Sequence, residues 1–136
     1  MLLGHLARRL YLSIIRFIKG GAVENCIFCK IAERKISANI FFENEEMLAF
    51  RDMNPVSNDH FLFIPKKHIE SIDTISEEDS ALVGRILTEL SKFARERGFN
   101  KKGYRIVNNM GDDAGQTVFH IHFHLMAGRH FAWPPG

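Results

Sequence analysis

The chain has 136 residues, 46% of them hydrophobic and 25% charged, and a net charge of +2. This length fits one domain with a core of useful size and excludes two, and the composition excludes a disordered, collagen-like or low-complexity chain. Four basic residues against Glu24 alone give residues 1–24 a local charge of +3 and leave −1 on the other 112 residues, which argues against a nucleic-acid footprint on the folded domain.

Residues 1–19, MLLGHLARRLYLSIIRFIK, place Leu3, Leu6, Leu10, Ile14 and Phe17 on one side of a helix drawn at about 100° per residue. His5, Arg8, Arg9, Arg16 and Lys19 fall on the other side. The apolar run Leu10–Ile15 is too short to span a bilayer and short for a signal-peptide core, which also argues against a twin-arginine signal at Arg8-Arg9. Three readings fit this basic amphipathic helix: an extension packed on the domain or a partner subunit, a helix lying on a membrane surface, or an organellar presequence. Gly20-Gly21 marks a hinge, so residues 1–24 form the extension and residues 25–136 the domain. Two cysteines are far too few for a disulfide-stapled secreted scaffold and suit a reduced compartment. The expected location is cytoplasmic, or mitochondrial if residues 1–24 are a presequence.

In the domain, Asn25 is the expected cap of a short helix through Cys26, Phe28, Ile31 and Ala32. Asn39–Phe42 and Met47–Arg51 are apolar runs around the acidic turn Glu43-Asn44-Glu45-Glu46 and read as a hairpin. A polar loop through Asp52–Pro55 and Ser57–Asp59 leads to a third strand, His60–Ile64, ending at Pro65. Lys66 and Lys67 beyond it read as a solvated strand end more than as an anion attractor. Residues 77–97 form the long helix: Ser76 is its cap, Glu77, Glu78 and Asp79 suit the helix dipole, and Gly98 supplies the stop. Leu82, Val83, Ile86, Leu87, Leu90, Phe93 and Ala94 form its apolar face. Residues 103–108 and 118–126 read as two more strands. Strands joined by short turns with one long helix imply an antiparallel α+β domain.

The stretch Phe119–Met126 carries the chemistry. Alternation on a strand puts His120, His122 and His124 on one face and Ile121, Phe123 and Leu125 on the other. Three imidazoles backed by apolar residues are expensive to bury without partners. Two roles compete, a metal cluster and a phosphate site with a histidine nucleophile. Upstream, Gly111-Asp112-Asp113-Ala114-Gly115-Gln116-Thr117 combines glycines that let backbone N–H groups approach an anion with the neutral donors Gln116 and Thr117. Cys26-x-x-Cys29 on its own is a redox pair, half a zinc site or an accident.

His120-Ile-His122-Phe-His124-Leu-Met resembles the histidine triad pattern, His-φ-His-φ-His-φ-φ with φ hydrophobic. The resemblance covers nearly all of residues 25–136. It includes Cys26–Ile31, Leu48–Asp52, Phe61–His68 and Gly115-Gln-Thr. The terminal Trp133-Pro-Pro-Gly136 is similar to the Hint branch, the purine nucleoside phosphoramidate hydrolases. This implies an α+β fold with a five-stranded antiparallel sheet and one long and one short helix, forming a homodimer in which two sheets join. The implied activity is hydrolysis of the P–N bond in AMP- or GMP-linked amines. His122 would attack phosphorus to form a covalent nucleotidyl-histidine, which water then releases. The alternatives are a dinucleoside polyphosphate hydrolase and a nucleotide-binding or scaffold protein with incidental hydrolysis.

Carried over by position, His124 and Gly115, Gln116 and Thr117 would hold the phosphate, with no Mg²⁺ needed. His60 would orient the catalytic histidines from the neighbouring strand. Asp52 would accept hydrogen bonds from the ribose, Phe50 and Met53 would line the base pocket, and Asn109 would face phosphate or ribose. The plain alternatives are a turn-forming Asp52 before Asn54-Pro55 and a Phe50 that is simply core. Trp133 would reach toward the other subunit's pocket. Thr117 stands where the family most often has serine. Some bacterial members ligate a structural zinc, and the matching positions are Cys26, Cys29, His68 and His120. The triad would then divide its labour, with His120 structural and His122 and His124 catalytic.

Overall fold

The computed structural model describes residues 23–136, so the amphipathic segment 1–19 and the glycine pair after it lie outside the described residues. Helix α1 spans Ile27–Ala32 and helix α2 spans Ser80–Glu96. The strands are β1 Ile40–Glu43, β2 Met47–Arg51, β3 Asp59–Pro65, β4 Arg105–Val107 and β5 Phe123–Ala127. They form one antiparallel sheet in the order β1-β2-β3-β5-β4. This is the expected α+β architecture, with short 3-10 turns at Ile72–Thr74, Glu77–Asp79 and Phe99–Lys101.

The central strands read as continuous apolar runs because both sheet faces are covered. Met47 and Ala49 of β2, Phe61 and Phe63 of β3, and Phe123 and Leu125 of β5 pack against Leu82, Ile86, Leu90, Phe93 and Ala94 of α2. The intervening residues Leu48, Phe50, Leu62 and Ile64 face Phe28, Cys29 and Ile31 of α1. Each such side chain contributes about 1.5–3 kcal/mol on full burial. Pairing fixes which face carries the polar residues: Leu62 opposes His124 and His60 opposes Met126, so His60 and His124 share the α1 face.

Several element ends differ from expectation for local reasons. Cys26, not Asn25, caps α1, its sulfur accepting the Cys29 N–H at 3.4 Å. The chain enters α2 through the 3-10 turn after Ser76, where Asp79 Oδ2 accepts the Ser76 N–H and hydroxyl at 3.3 and 3.0 Å. Asp79 Oδ1 binds Lys67 at 2.6 Å, and Lys66 binds Glu43 at 2.8 Å, so both lysines are paired. Gly98 ends the helix with φ +77°, as anticipated.

Strand β4 holds only residues 105–107 of the expected 103–108, and β5 starts at Phe123 where a strand from 118 was expected. Partners run out there: Phe123 opposes Phe63, two residues before Pro65, which has no N–H to give. His120 and His122 therefore precede the strand. Their inward direction survives without the ladder, because Ile121 is anchored separately by its N–H to Ile69 O at 2.6 Å.

Candidate active site and metal cluster

Helix α1, the turn after β3 and the segment before β5 bring Cys26, Cys29, His68 and His120 together, with their ligand atoms within 4.8 Å of one another. His120 Nδ1 lies 3.3 Å from Cys26 Sγ, 3.5 Å from Cys29 Sγ and 3.2 Å from His68 Nδ1, and Cys29 Sγ lies 3.4 Å from His68 Nδ1. His120 donates from Nε2 to Pro65 O at 2.8 Å, which turns the Nδ1 lone pair into the cluster. Both sulfurs also accept backbone N–H groups, Cys26 from Cys29 and Cys29 from Val23, each at 3.4 Å. Burial pushes the Cys29 thiol up to about 11 and His120 down to about 4, and lowers His68 as well. Two thiols and two imidazole lone pairs converging in a largely buried site form a donor set that can hold a metal ion.

Next to it, His122 is 6% exposed and its Nδ1 lies 2.7 Å from the carbonyl oxygen of His120. A carbonyl only accepts, so His122 carries a proton on Nδ1, and its neutral form presents the lone pair at Nε2. On the other side, the Val56 N–H lies 3.1 Å from His60 Nδ1. A backbone N–H only donates, so His60 is protonated at Nε2 and donates to His124 Nδ1 at 2.8 Å. Neutral His124 then carries its own proton on Nε2. Burial holds His60 below the ordinary histidine value and His124 at about 4, so both are neutral near pH 7. The result is an acceptor, His122 Nε2, beside a donor, His124, with ring centres 5.1 Å apart.

Asp52 takes up the turn-forming role. Its Oδ1 accepts the Asn54 N–H at 2.8 Å in a turn, and its Oδ2 lies 3.3 Å from His60 Nε2 and 3.9 Å from His124 Nδ1. Phe50 is core, 4% exposed and edge-on to Phe28. Met53 is 91% and Trp133 82% exposed. Asn109 is half-buried.

In the glycine loop, Gly111 and Gly115 both take φ +79°, open to glycine and strained for other residues. The Gln116 amide is turned inward: Nε2 donates to Glu70 O and Val118 O at 3.0 and 3.3 Å, and Oε1 accepts the Gly111 N–H at 3.0 Å. The backbone N–H groups of Gly115 and Gln116 close the turn onto Asp112 O and Gly111 O. Gln116 thus builds the loop, and Thr117 is exposed at its edge.

A family model described as "Scavenger mRNA decapping enzyme C-term binding" matches residues 25–132. An uncharacterised HIT-like protein of Synechocystis is 43% identical over 113 residues, covering 83% of this chain and 98% of its own length. The chain belongs to the histidine triad (HIT) family. The crystal structure of a HIT family hydrolase from Legionella pneumophila is 47% identical, with a TM-score of 0.81 over 82% of this chain and 100% of that one. A histidine triad protein from Clostridium difficile is 41% identical, with a TM-score of 0.78 over 81% and 96%. Family membership supports a hydrolase-like, nucleotide-binding protein.

Three parts of this HIT protein's site escaped sequence reasoning. Phe28 sets its ring edge-on to His122 and His120, with centroids 5.1 and 5.8 Å away. Asn108, one residue before the asparagine singled out from sequence, donates from Nδ2 to His122 O at 2.9 Å, and its Oδ1 is buried without a partner among the described residues. The Val56 backbone N–H sets the His60 tautomer. A main-chain amide leaves no sequence signal, but Phe28, between two cysteines, carried one.

Proposed function

We propose that this chain hydrolyses the P–N bond of purine nucleoside phosphoramidates, AMP- or GMP-linked amines, through a covalent nucleotide on His122. The observation that carries the reading is the pairing of tautomers, a lone pair at His122 Nε2 beside a donor at His124. The lone pair attacks the α-phosphorus, an N–P bond forms, the P–N bond to the amine breaks, and the amine departs with a proton taken from solvent. Water then attacks phosphorus and frees His122. His124 donates to a phosphate oxygen as charge develops, an arrangement that stabilises the transition state more than the ground state. Asp52 Oδ2 would accept from the ribose, and Met53 and Asn109 would complete the nucleotide site with Thr117 at the edge of the glycine loop. The exposed Trp133 fits a role toward the other subunit of a homodimer, and the open edges at β1 and β4 supply what a joined sheet needs.

For the metal cluster we favour structural zinc. A tetrahedral zinc would set N–N and S–N edges of about 3.3 and 3.6 Å, close to the 3.2 Å and 3.3–3.5 Å separations of these donors. Cys26, Cys29, His68 and His120 would hold it. Bound there, a zinc would cross-link α1, the turn after β3 and the segment before β5, and His122 would stay unligated for the attack.

The decapping description of the family model supports a second reading, cleavage of a P–O–P bond in a dinucleoside polyphosphate. Turnover of an adenosine phosphoramidate against a diadenosine polyphosphate separates them. The first reading expects kcat/KM at least tenfold higher on the phosphoramidate; cleavage of the polyphosphate alone overturns it.

A further inference from the structure

We propose that the Cys26–Cys29–His68–His120 cluster, when loaded with metal, is what holds the His122 ring in its reactive setting, with Phe28 as the positioning residue that carries the constraint. The inference rests on the reading of His122 as nucleophile and deepens it.

Two contacts make the link, and both start from residues of the cluster or the helix it anchors. The first is the hydrogen bond from His122 Nδ1 to the carbonyl of His120, a ligand whose ring is fixed at both nitrogens, by Pro65 O and by the cluster. The second is Phe28, which lies between the two cysteines in sequence and packs edge-on against both His120 and His122. Helix α1 has six residues, far fewer than a helix needs to stand alone in water, so its position depends on what grips it. Cys26 and Cys29 grip it at its first turn. Ligation of the cysteines therefore sets where Phe28 sits, and Phe28 with His120 sets where His122 points. Two further contacts on His122 do not involve the cluster: Asn108 Nδ2 on its carbonyl, which reaches the main chain, and the edge-on ring of His124, which leaves the His120 carbonyl as the partner of His122 Nδ1. The α2 face of the sheet shares no residue with the cluster and has no reason to change with it.

The test uses the full chain, ¹⁵N-labelled, loaded with Zn²⁺ and then stripped with a soluble chelator. The zinc-loaded chain is expected to show His122 as a single Nδ1–H tautomer with a slowly exchanging ring proton. Stripping should mix the tautomers and speed that exchange at least tenfold, while backbone signals of α2 stay in place. The variant Phe28→Leu should keep one zinc per chain yet show the same loosening of His122, and it decides the matter if stripping unfolds the chain. A His122 signature unchanged by stripping, a chain that binds no zinc, or a Phe28→Leu protein with the zinc-loaded His122 signature overturns the proposal. None of these readouts uses a substrate, so their failure is distinct from failure of the proposed hydrolysis.

Discussion

The rings of His122 and His124 lie with centres 5.1 Å apart and planes at 62°, and fixed backbone groups make them opposite tautomers. The His120 carbonyl forces the proton of His122 onto Nδ1, and the Val56 N–H, acting through His60, forces that of His124 onto Nε2. One ring offers electrons where its neighbour offers a proton, a pairing suited to displacement at phosphorus.

Removing the acceptor should stop turnover without emptying the site. For His122→Ala we expect kcat to fall by at least about three orders of magnitude, with nucleoside monophosphate affinity within about threefold as read by calorimetry. Retained turnover in this variant would assign the attack elsewhere.

On the proposed reading, His60 acts through His124 as a positioning residue. In His60→Ala the Nδ1 of His124 loses its donor, so the ring is free to flip its proton and present a lone pair to the phosphate. We expect kcat to drop about 10–100-fold with KM little changed. A variant His60→Gln, able to donate from its amide, should recover part of the loss, and no recovery would favour a packing role.

Much of this was legible in the sequence, and the parts that were not share a cause. The central strands, the long helix and the shared face of the three histidines follow from periodicity, which local spacing records. The start of β5 does not, because it depends on where β3 reaches Pro65 and stops offering N–H groups. Gln116 looked like a donor from its place in a glycine loop, yet its amide is consumed by Glu70 O, Val118 O and Gly111 N, partners set by tertiary folding. Asn108 and Val56 act on the histidines through main-chain groups, which no side-chain motif encodes.

Acid should weaken the fold over a defined window. Burial lowers His124 from 6.5 to about 4 and lowers His60 in the same direction, so between those values the unfolded chain binds protons that the folded one refuses. The stability they protect is complete above about pH 6.5 and drains as the pH falls toward about 4, on the order of 2–3 kcal/mol for His124. Urea midpoints between pH 7.5 and 4.5 measure it, and a flat profile would contradict the burial of these rings.

Gln116 offers a separate check on the loop. Gln116→Glu keeps the shape but sets a carboxylate against two carbonyl oxygens and removes both donors. We expect a loss of about 2–4 kcal/mol in urea unfolding, with the zinc stoichiometry unchanged. An unaltered midpoint would mean that the loop does not depend on this amide.

The zinc reading makes its own demand. The full chain should bind one Zn²⁺, chelation should lower Tm by several degrees through the loss of a ligand that binds only the folded state, and Cys29→Ser should abolish stoichiometric binding. Metal-free protein with an unchanged Tm would remove the site.

The central claim is a covalent nucleotide on His122, and mass spectrometry of the chain quenched in acid during turnover of an adenosine phosphoramidate tests it directly. The account predicts the mass of one adenylyl group on the peptide carrying His122, absent in His122→Ala. Turnover without any such adduct, or an adduct on His124 or another residue, would contradict it.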